Sequence, residues 1–274
     1  MSTPGELEPS EIQPSSIQIL GDMHLENCRD FPQITPTAKY LILTGDIGHL
    51  NSPVWRAFIE YIHGLHPGWE QIFYVLGNHE YYSNSKTMSV LREGYREYLA
   101  QFPRIKLLDR ESVYLPDDGC VVLGVTMWSQ AEFSLVPIIN DFRRINLKSD
   151  PTNPASRTIN ITPPAMNELH RAEKEWLFSE LDKLCGTNMS QQELKTIIII
   201  THFPLVRDGT SHPSYSGQKQ AIKNYYANDF HQELVLRKTE KQIISISGHT
   251  HFEYDFAQDG IRYINAGACG YHLP

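Results

Sequence analysis

The sequence predicts an α/β fold, and three observations predict it. Short apolar, often β-branched runs recur along the chain: Ile17-Gln18-Ile19-Leu20, Tyr40-Leu41-Ile42-Leu43, Ile72-Phe73-Tyr74-Val75-Leu76, residues 196–200 and Ile243-Ile244-Ser245-Ile246-Ser247. Such runs read as buried strands. Several of the intervals between them carry apolar residues at helical spacing. Five runs end in ligand-type residues: Gly21-Asp22-Met23-His24, Thr44-Gly45-Asp46, Gly77-Asn78-His79-Glu80, Thr201-His202 and Gly248-His249-Thr250-His251. In open α/β sheets, ligands collect outside the carboxyl ends of the strands.

After the first strand, Asp22 and His24 stand two apart. In extended chain they point to one side, where a carboxylate and an imidazole chelate one ion. Alone, the fragment is an ordinary post-strand turn. Asp46 follows the second strand and is of the type that bridges two metals, though Asp after Gly is also a frequent turn residue. Pro53 opens a helix with Val54, Ala57, Phe58, Tyr61, Ile62 and Leu65 inward, and Gly68 breaks it. Beyond Glu80, Tyr82 is a substrate-contact candidate, against the more frequent role of partly buried packing. A helix over 86–101 and strands over 105–108 and 120–125 follow, with a hairpin turning at Asp117-Asp118-Gly119. Residues 128–164 read as an irregular insertion, a length of loop that is uncommon unless functional or disordered. Within it Arg143 and Arg144 suit phosphate oxygens, or form a solvated basic pair. The next helix, over 164–184, turns Glu168, Arg171, Glu173, Lys174, Glu175 and Glu180 outward and Leu169, Ala172, Trp176, Leu177 and Leu181 inward. His202 ends a central strand. Residues 208–218 form a polar loop, and Asn228 or Asp229 caps a short helix to Leu236. A hairpin closes the chain with Asp259-Gly260 in its turn.

The 274 residues suffice for one large α/β domain or two small ones. We expect a flexible tail over 1–16, rich in Pro, Ser and Glu and without the apolar segment of a signal peptide. Residues 17–274 are expected to form a single domain. A net charge of -8 argues against a general nucleic-acid or anionic-membrane surface. It leaves an anionic substrate open, because metals reverse the local field. No apolar run is long enough to span a bilayer. Cys28, Cys120, Cys185 and Cys269 are scattered, which predicts free thiols in a reducing, cytoplasmic setting. Oligomeric state is not encoded in any of these features.

Asp22, His24, Asp46, Asn78, His202, His249 and His251 together make a mixed oxygen and nitrogen set suited to two transition-metal ions sharing Asp46. The absence of cysteine from the set argues against a structural zinc site. His79 is left over, free to act as a general acid.

The ordered motifs Asp-x-His, Gly-Asp, Gly-Asn-His-Glu, His and Gly-His-x-His, from Asp22 to His251, resemble those of the calcineurin-like metallophosphoesterase superfamily, particularly its small single-domain cytosolic members. The resemblance spans nearly the whole chain. It implies a two-sheet β-sandwich flanked by α-helices, with two Mn, Fe or Zn ions between the strand ends. Asp22, His24 and His251 would hold one ion, and Asn78, His202 and His249 the other. Asp46 would bridge them. It further implies in-line attack of a bridging hydroxide on a small phosphomonoester or phosphodiester, with His79 protonating or stabilising the leaving oxygen. In many members a second acid three positions after the bridging Asp partners that histidine. Here the position holds His49, which leaves either Glu80 or another group as the partner of His79, or a weak acid catalysis. A phosphoprotein phosphatase, a repurposed hydrolase or lyase, and a non-catalytic scaffold are the alternatives. The first lacks the second acid, and the last usually loses ligands that this chain keeps.

Overall fold

The computed structural model describes residues 17–148, 159–186, 194–238 and 240–268. The expectation of a flexible tail over 1–16, the stretch 149–158 of the expected loop, and Cys269 lie outside them.

Two sheets stack face to face. The first is parallel, in the order β1 (Ile17–Leu20), β2 (Tyr40–Leu43), β3 (Gln71–Tyr74), β4 (Ile105–Leu107). The second contains β5 (Glu111–Leu115), β6 (Cys120–Val125), β9 (Thr196–Thr201), β10 (Gln242–Ile246), β11 (Tyr254–Gln258) and β12 (Ile261–Asn265), ordered β11-β12-β10-β9-β6-β5. Its centre is parallel, and the two predicted hairpins, β5–β6 and β11–β12, pair antiparallel at its edges. Between β6 and β9, β7 (Asn146–Lys148) and β8 (Ile159–Asn160) form a small ribbon of their own.

Strand alternation explains the layering. Tyr40 and Ile42 of β2, Ile198 and Ile200 of β9, and Ile244 and Ile246 of β10 meet between the sheets. Leu41 and Leu43 face the other way, against α1 (Pro53–Gly64) and α2 (Met88–Leu99). Ile197 and Ile199 likewise face α4 (Pro163–Gly186) and α6 (His231–Arg237). Every one of these positions is apolar, so the runs had no polar phase to show. The chain is therefore the predicted α/β sandwich with helices on both outer faces.

Ser52 caps α1 by accepting the Trp55 amide, and Thr87 caps α2 by accepting the Val90 amide. The buried face of α1 is Trp55, Phe58, Ile59 and Ile62, so it is rotated from the expected one and leaves Ala57 exposed. Neither Asn228 nor Asp229 caps α6, which begins after Phe230 without a side-chain cap. The polar loop is followed by an unpredicted helix, α5 (Gln220–Tyr226). The insertion is more regular than its composition suggests. It holds a 3-10 turn at Phe133–Leu135, the single turn α3 (Asp141–Arg144) and the β7–β8 ribbon. Among the described residues no helix is long and apolar enough to cross a membrane.

Glu173 corrects the expected outer face of α4. It is buried, and its Oε2 accepts the Trp128 amide at 3.0 Å. Burial holds its carboxyl protonated, with the pKa raised from 4.5 to about 8. The unfolded chain releases that proton near 4.5, so this group's contribution to stability is full below that pH. It falls as pH rises toward about 8. Glu173→Gln keeps the acceptor without the charge. Its thermal midpoint should rise relative to wild type between pH 5 and 8, by up to a few kcal/mol in stability. Parallel melting curves across that range would contradict this.

Candidate metal centre

The ends of β1, β2 and β3 approach those of β9 and β10 across the seam between the sheets. Beyond β1 the backbone continues to pair: Asp22 N–H donates to Gly45 O at 3.1 Å and His24 N–H to Asp46 O at 2.9 Å. The loops after β2 and β3 touch through their backbones. A Cβ on Gly77 would stand 2.2 Å from Asp46 Oδ1, and one on Gly45 would stand 2.6 Å from Gly77 N and from His202 Nδ1. Only glycine permits this approach.

Asp22, His24, Asp46, His249 and His251 all have φ between 49° and 69°. Left-handed backbone is strained for residues with a Cβ, though Asp and His adopt it more readily than most. This corrects the expected geometry of Asp22 and His24. They converge through successive left-handed turns, not through strand alternation.

The side chains close on one another. Asp22, His24 and His251 offer ligand atoms within 4.8 Å of each other, as do Asp22, Asp46 and His202. The Nε2 atoms of His24 and His251 are 3.1 Å apart. Asp46 Oδ2 lies 3.5 Å from His202 Nε2 and 3.8 Å from His24 Nε2. Asn78 Oδ1 is 2.9 Å from His202 Nε2. His202 Nδ1 faces the Thr44 carbonyl at 2.8 Å and His24 Nδ1 faces Glu26 Oε1 at 3.1 Å. When Nδ1 carries the proton in both rings, Nε2 is left as a lone pair toward the centre. His249 N–H donates to Asp22 Oδ1 at 3.0 Å and its ring lies 5.1 Å from that of His202, so all seven predicted residues are brought together.

The donor set fits metal ions. Asp22 Oδ2 and His249 Nε2 are buried without a hydrogen-bond partner, an expensive state that a cation relieves. Burial holds the His249 imidazole neutral, well below its usual pKa. Burial and then the charge of His24 push His251 down to about 4. Burial disfavours charge on His202 too, but Asp46 outweighs it and raises that ring to about 9. Two buried carboxylates thus draw a positive charge into the site, which metal ions supply.

The sequence pattern of calcineurin-like phosphoesterases matches residues 16–253. The chain belongs to this family. It is a hydrolase of phosphoester bonds, from a family that uses divalent metals. It is 28% identical over 249 residues to an uncharacterized protein of Acanthamoeba polyphaga mimivirus, covering 88% of this chain and 82% of that one. In fold it is similar to the phosphopantetheinyl hydrolase of Mycobacterium tuberculosis, with a TM-score of 0.60 at 14% identity, covering 92% and 89% of the two chains.

Three features of this phosphoesterase escaped the sequence reading. Glu26 is the first. Its Oε1 lies 3.1 Å from His24 Nδ1 and 3.2 Å from His79 Nδ1, so one carboxylate orients both rings. The spacing Asp22, His24, Glu26 was its signal. His49 is half-buried nearby with its Nε2 enclosed and unpartnered, and burial lowers its pKa. Glu80 is not the partner of His79. Its carboxylate accepts the amides of Asp46, Ile47 and Gly77 and the Tyr74 hydroxyl, all within 2.9 Å, and so ties the two loops together.

Asp141 is the second, with no local signal. Fully buried in the insertion, it accepts from Asn78 Nδ2 at 2.9 Å, Tyr82 OH at 2.6 Å and Tyr225 OH at 2.7 Å. The first bond turns Asn78 Oδ1 toward the centre. The Tyr82 hydroxyl is thereby committed to Asp141, while its ring lies 4.2 Å from that of His79. The third is the behaviour of the basic pair. Arg143 donates to the Pro137 carbonyl, whereas the Arg144 guanidinium sits 5.3 Å over the Tyr82 ring, at the rim of the site.

Proposed function

We propose that the chain is a dinuclear metal-dependent phosphoesterase acting on a small phosphomonoester or phosphodiester in a reducing cytoplasm. The observation that carries this reading is Asp46. It is a buried carboxylate set between His24 on one side and His202 on the other. Asp22, His24 and His251 would hold one ion, Asn78, His202 and His249 the second, and Asp46 both. Mn, Fe and Zn all suit these donors. Bound ions would acidify water to give the nucleophile and neutralise phosphoryl charge.

The chain's own residues do the rest. His79 N–H donates to Asp46 Oδ1 at 2.9 Å, which fixes the loop. Glu26 holds His79 Nδ1, leaving Nε2 to give its proton to the departing oxygen. Burial opposes charge on that ring, but Asp46 and Glu26 outweigh it and raise its pKa to about 9, so in the metal-free centre it carries the proton at neutral pH. Arg144 at the rim suits a non-bridging phosphoryl oxygen.

The test is to quantify bound metal and compare p-nitrophenyl phosphate with bis-p-nitrophenyl phosphate in added Mn. About two ions per chain with turnover abolished by chelation is expected. Metal-independent turnover would overturn the reading. His79→Ala should lower the rate about a hundredfold while sparing metal content. The loss should be larger for alkyl esters, whose leaving groups need the proton, than for nitrophenyl esters. Glu26→Gln should follow the same leaving-group trend with a smaller loss. Equal losses on both ester types would remove the acid role.

A further inference from the structure

A groove of about 520 Å³ opens beside the candidate centre, on the side of His249 and His251. That volume is in the range of small-molecule sites. One wall is α5, which turns Ile222, Lys223 and Tyr226 into it, and the other is the segment from Arg207 to Gln218. The Tyr226 ring lies 5.4 Å from that of His249, so it abuts the centre directly. Tyr215 stands opposite, its ring 6.4 Å from that of Tyr226 and half exposed. The groove also runs against the charge of the protein. Lys223 and Arg207 line it with Asp208 as the single acid, in a chain of net charge -8. The Lys223 ammonium makes no hydrogen bond or ion pair with any described residue. Arg207 pairs with Asp229 through Nη2 at 3.3 Å, but its Nε is buried without a partner.

We propose that this groove binds the non-scissile part of the substrate, and that this part is a planar ring joined to a second anionic group, the chemistry of a nucleotide with a phosphate beyond the one hydrolysed. The proposal rests on the phosphoesterase reading and names its substrate class. A flat ring matches the tyrosine faces, which stack on any heteroaromatic base. A second anion answers the Lys223 ammonium and the Arg207 guanidinium that line the groove, cations to which a neutral sugar or acyl chain offers no counter-charge. The contact between Tyr226 and His249 puts the ring side of such a ligand next to the scissile ester.

The test compares adenosine bisphosphate, with a phosphate at each end of the ribose, against glycerol phosphate. Turnover with Mn and binding by calorimetry are both measured on the full chain. Wild type should prefer the nucleotide in kcat/KM. Tyr226→Ala and Lys223→Ala should each weaken nucleotide binding about tenfold, raise its KM, and cost the nucleotide at least tenfold more than glycerol phosphate. Lys223→Arg should restore most of the loss. Equal preference for the two esters, or equal losses on both in the variants, would overturn the groove assignment while leaving the phosphoesterase reading intact. If neither ester is cleaved, the phosphoesterase reading fails for these substrates and calorimetry decides the groove: nucleotide binding insensitive to both variants, or no binding, overturns it.

Discussion

Asp46→Asn is expected to lower Mn-dependent kcat/KM at least a thousandfold and to reduce bound metal to about one ion per chain or fewer. The carboxylate is 2% exposed, and its Oδ2 lies 3.5 Å from His202 Nε2, 3.8 Å from His24 Nε2 and 4.0 Å from His79 Nε2. Asparagine preserves the shape and can keep the bond from the His79 amide. It replaces an anionic oxygen by an NH2 group or a neutral carbonyl, and so removes the one charge common to both halves of the centre. A thousandfold loss corresponds to about 4 kcal/mol of transition-state stabilisation, a reasonable share for a shared metal carboxylate. Metal analysis and steady-state kinetics check it, with circular dichroism to verify folding. Full activity with two bound ions would sink the shared-carboxylate arrangement.

The second large effect belongs to a residue outside the metal set. Asp141→Ala deletes the common acceptor of Asn78, Tyr82 and Tyr225 and takes one hydrogen bond from each of these three buried donors. Each costs about 1–3 kcal/mol, and because they share one site the total should be about 3–5 kcal/mol. For a chain of this size that is a fall of roughly 10 °C in thermal midpoint. The Asn78 carboxamide would also lose the bond that orients it, so metal affinity should fall even where the protein remains folded. Asp141→Asn should lie between, since it keeps an acceptor oxygen but sets a new donor among existing ones. Thermal melts with metal titrations separate the two effects. An unchanged midpoint in Asp141→Ala would show the network to be dispensable.

The elements most legible in the sequence were those whose residues are uniform in character. The strands read correctly because Leu41, Ile42, Ile198 and Ile199 are apolar on both faces, as central strands between two cores must be. The ligand-type residues stood out because each follows such a run directly. What could not be read depended on distant partners. Glu173 looks like any charged helix residue until Trp128 presents its amide. Asp141 opens a single helical turn, and nothing in its neighbours along the chain marks it as the acceptor of Asn78, Tyr82 and Tyr225. The left-handed positions Asp22 and His24 are not themselves glycines, so extended spacing was the natural but mistaken geometry. Glu26 had a local spacing signal, but its role emerged only when His24 and His79 were seen on either side of it.

The seam between the sheets gives the centre a second consequence. Asp22, His24, Asp46 and Asn78 follow strands of the parallel sheet, whereas His202, His249 and His251 follow strands of the mixed one. Ions held by both groups would act as a removable cross-link, a rivet through the open edge of the sandwich. By mass action, ligands that bind only the closed arrangement add their binding free energy to folding. In this architecture the supply of metal would set how tightly the two halves of the molecule are held together, and catalytic competence and lifetime in the cell would rise and fall as one quantity.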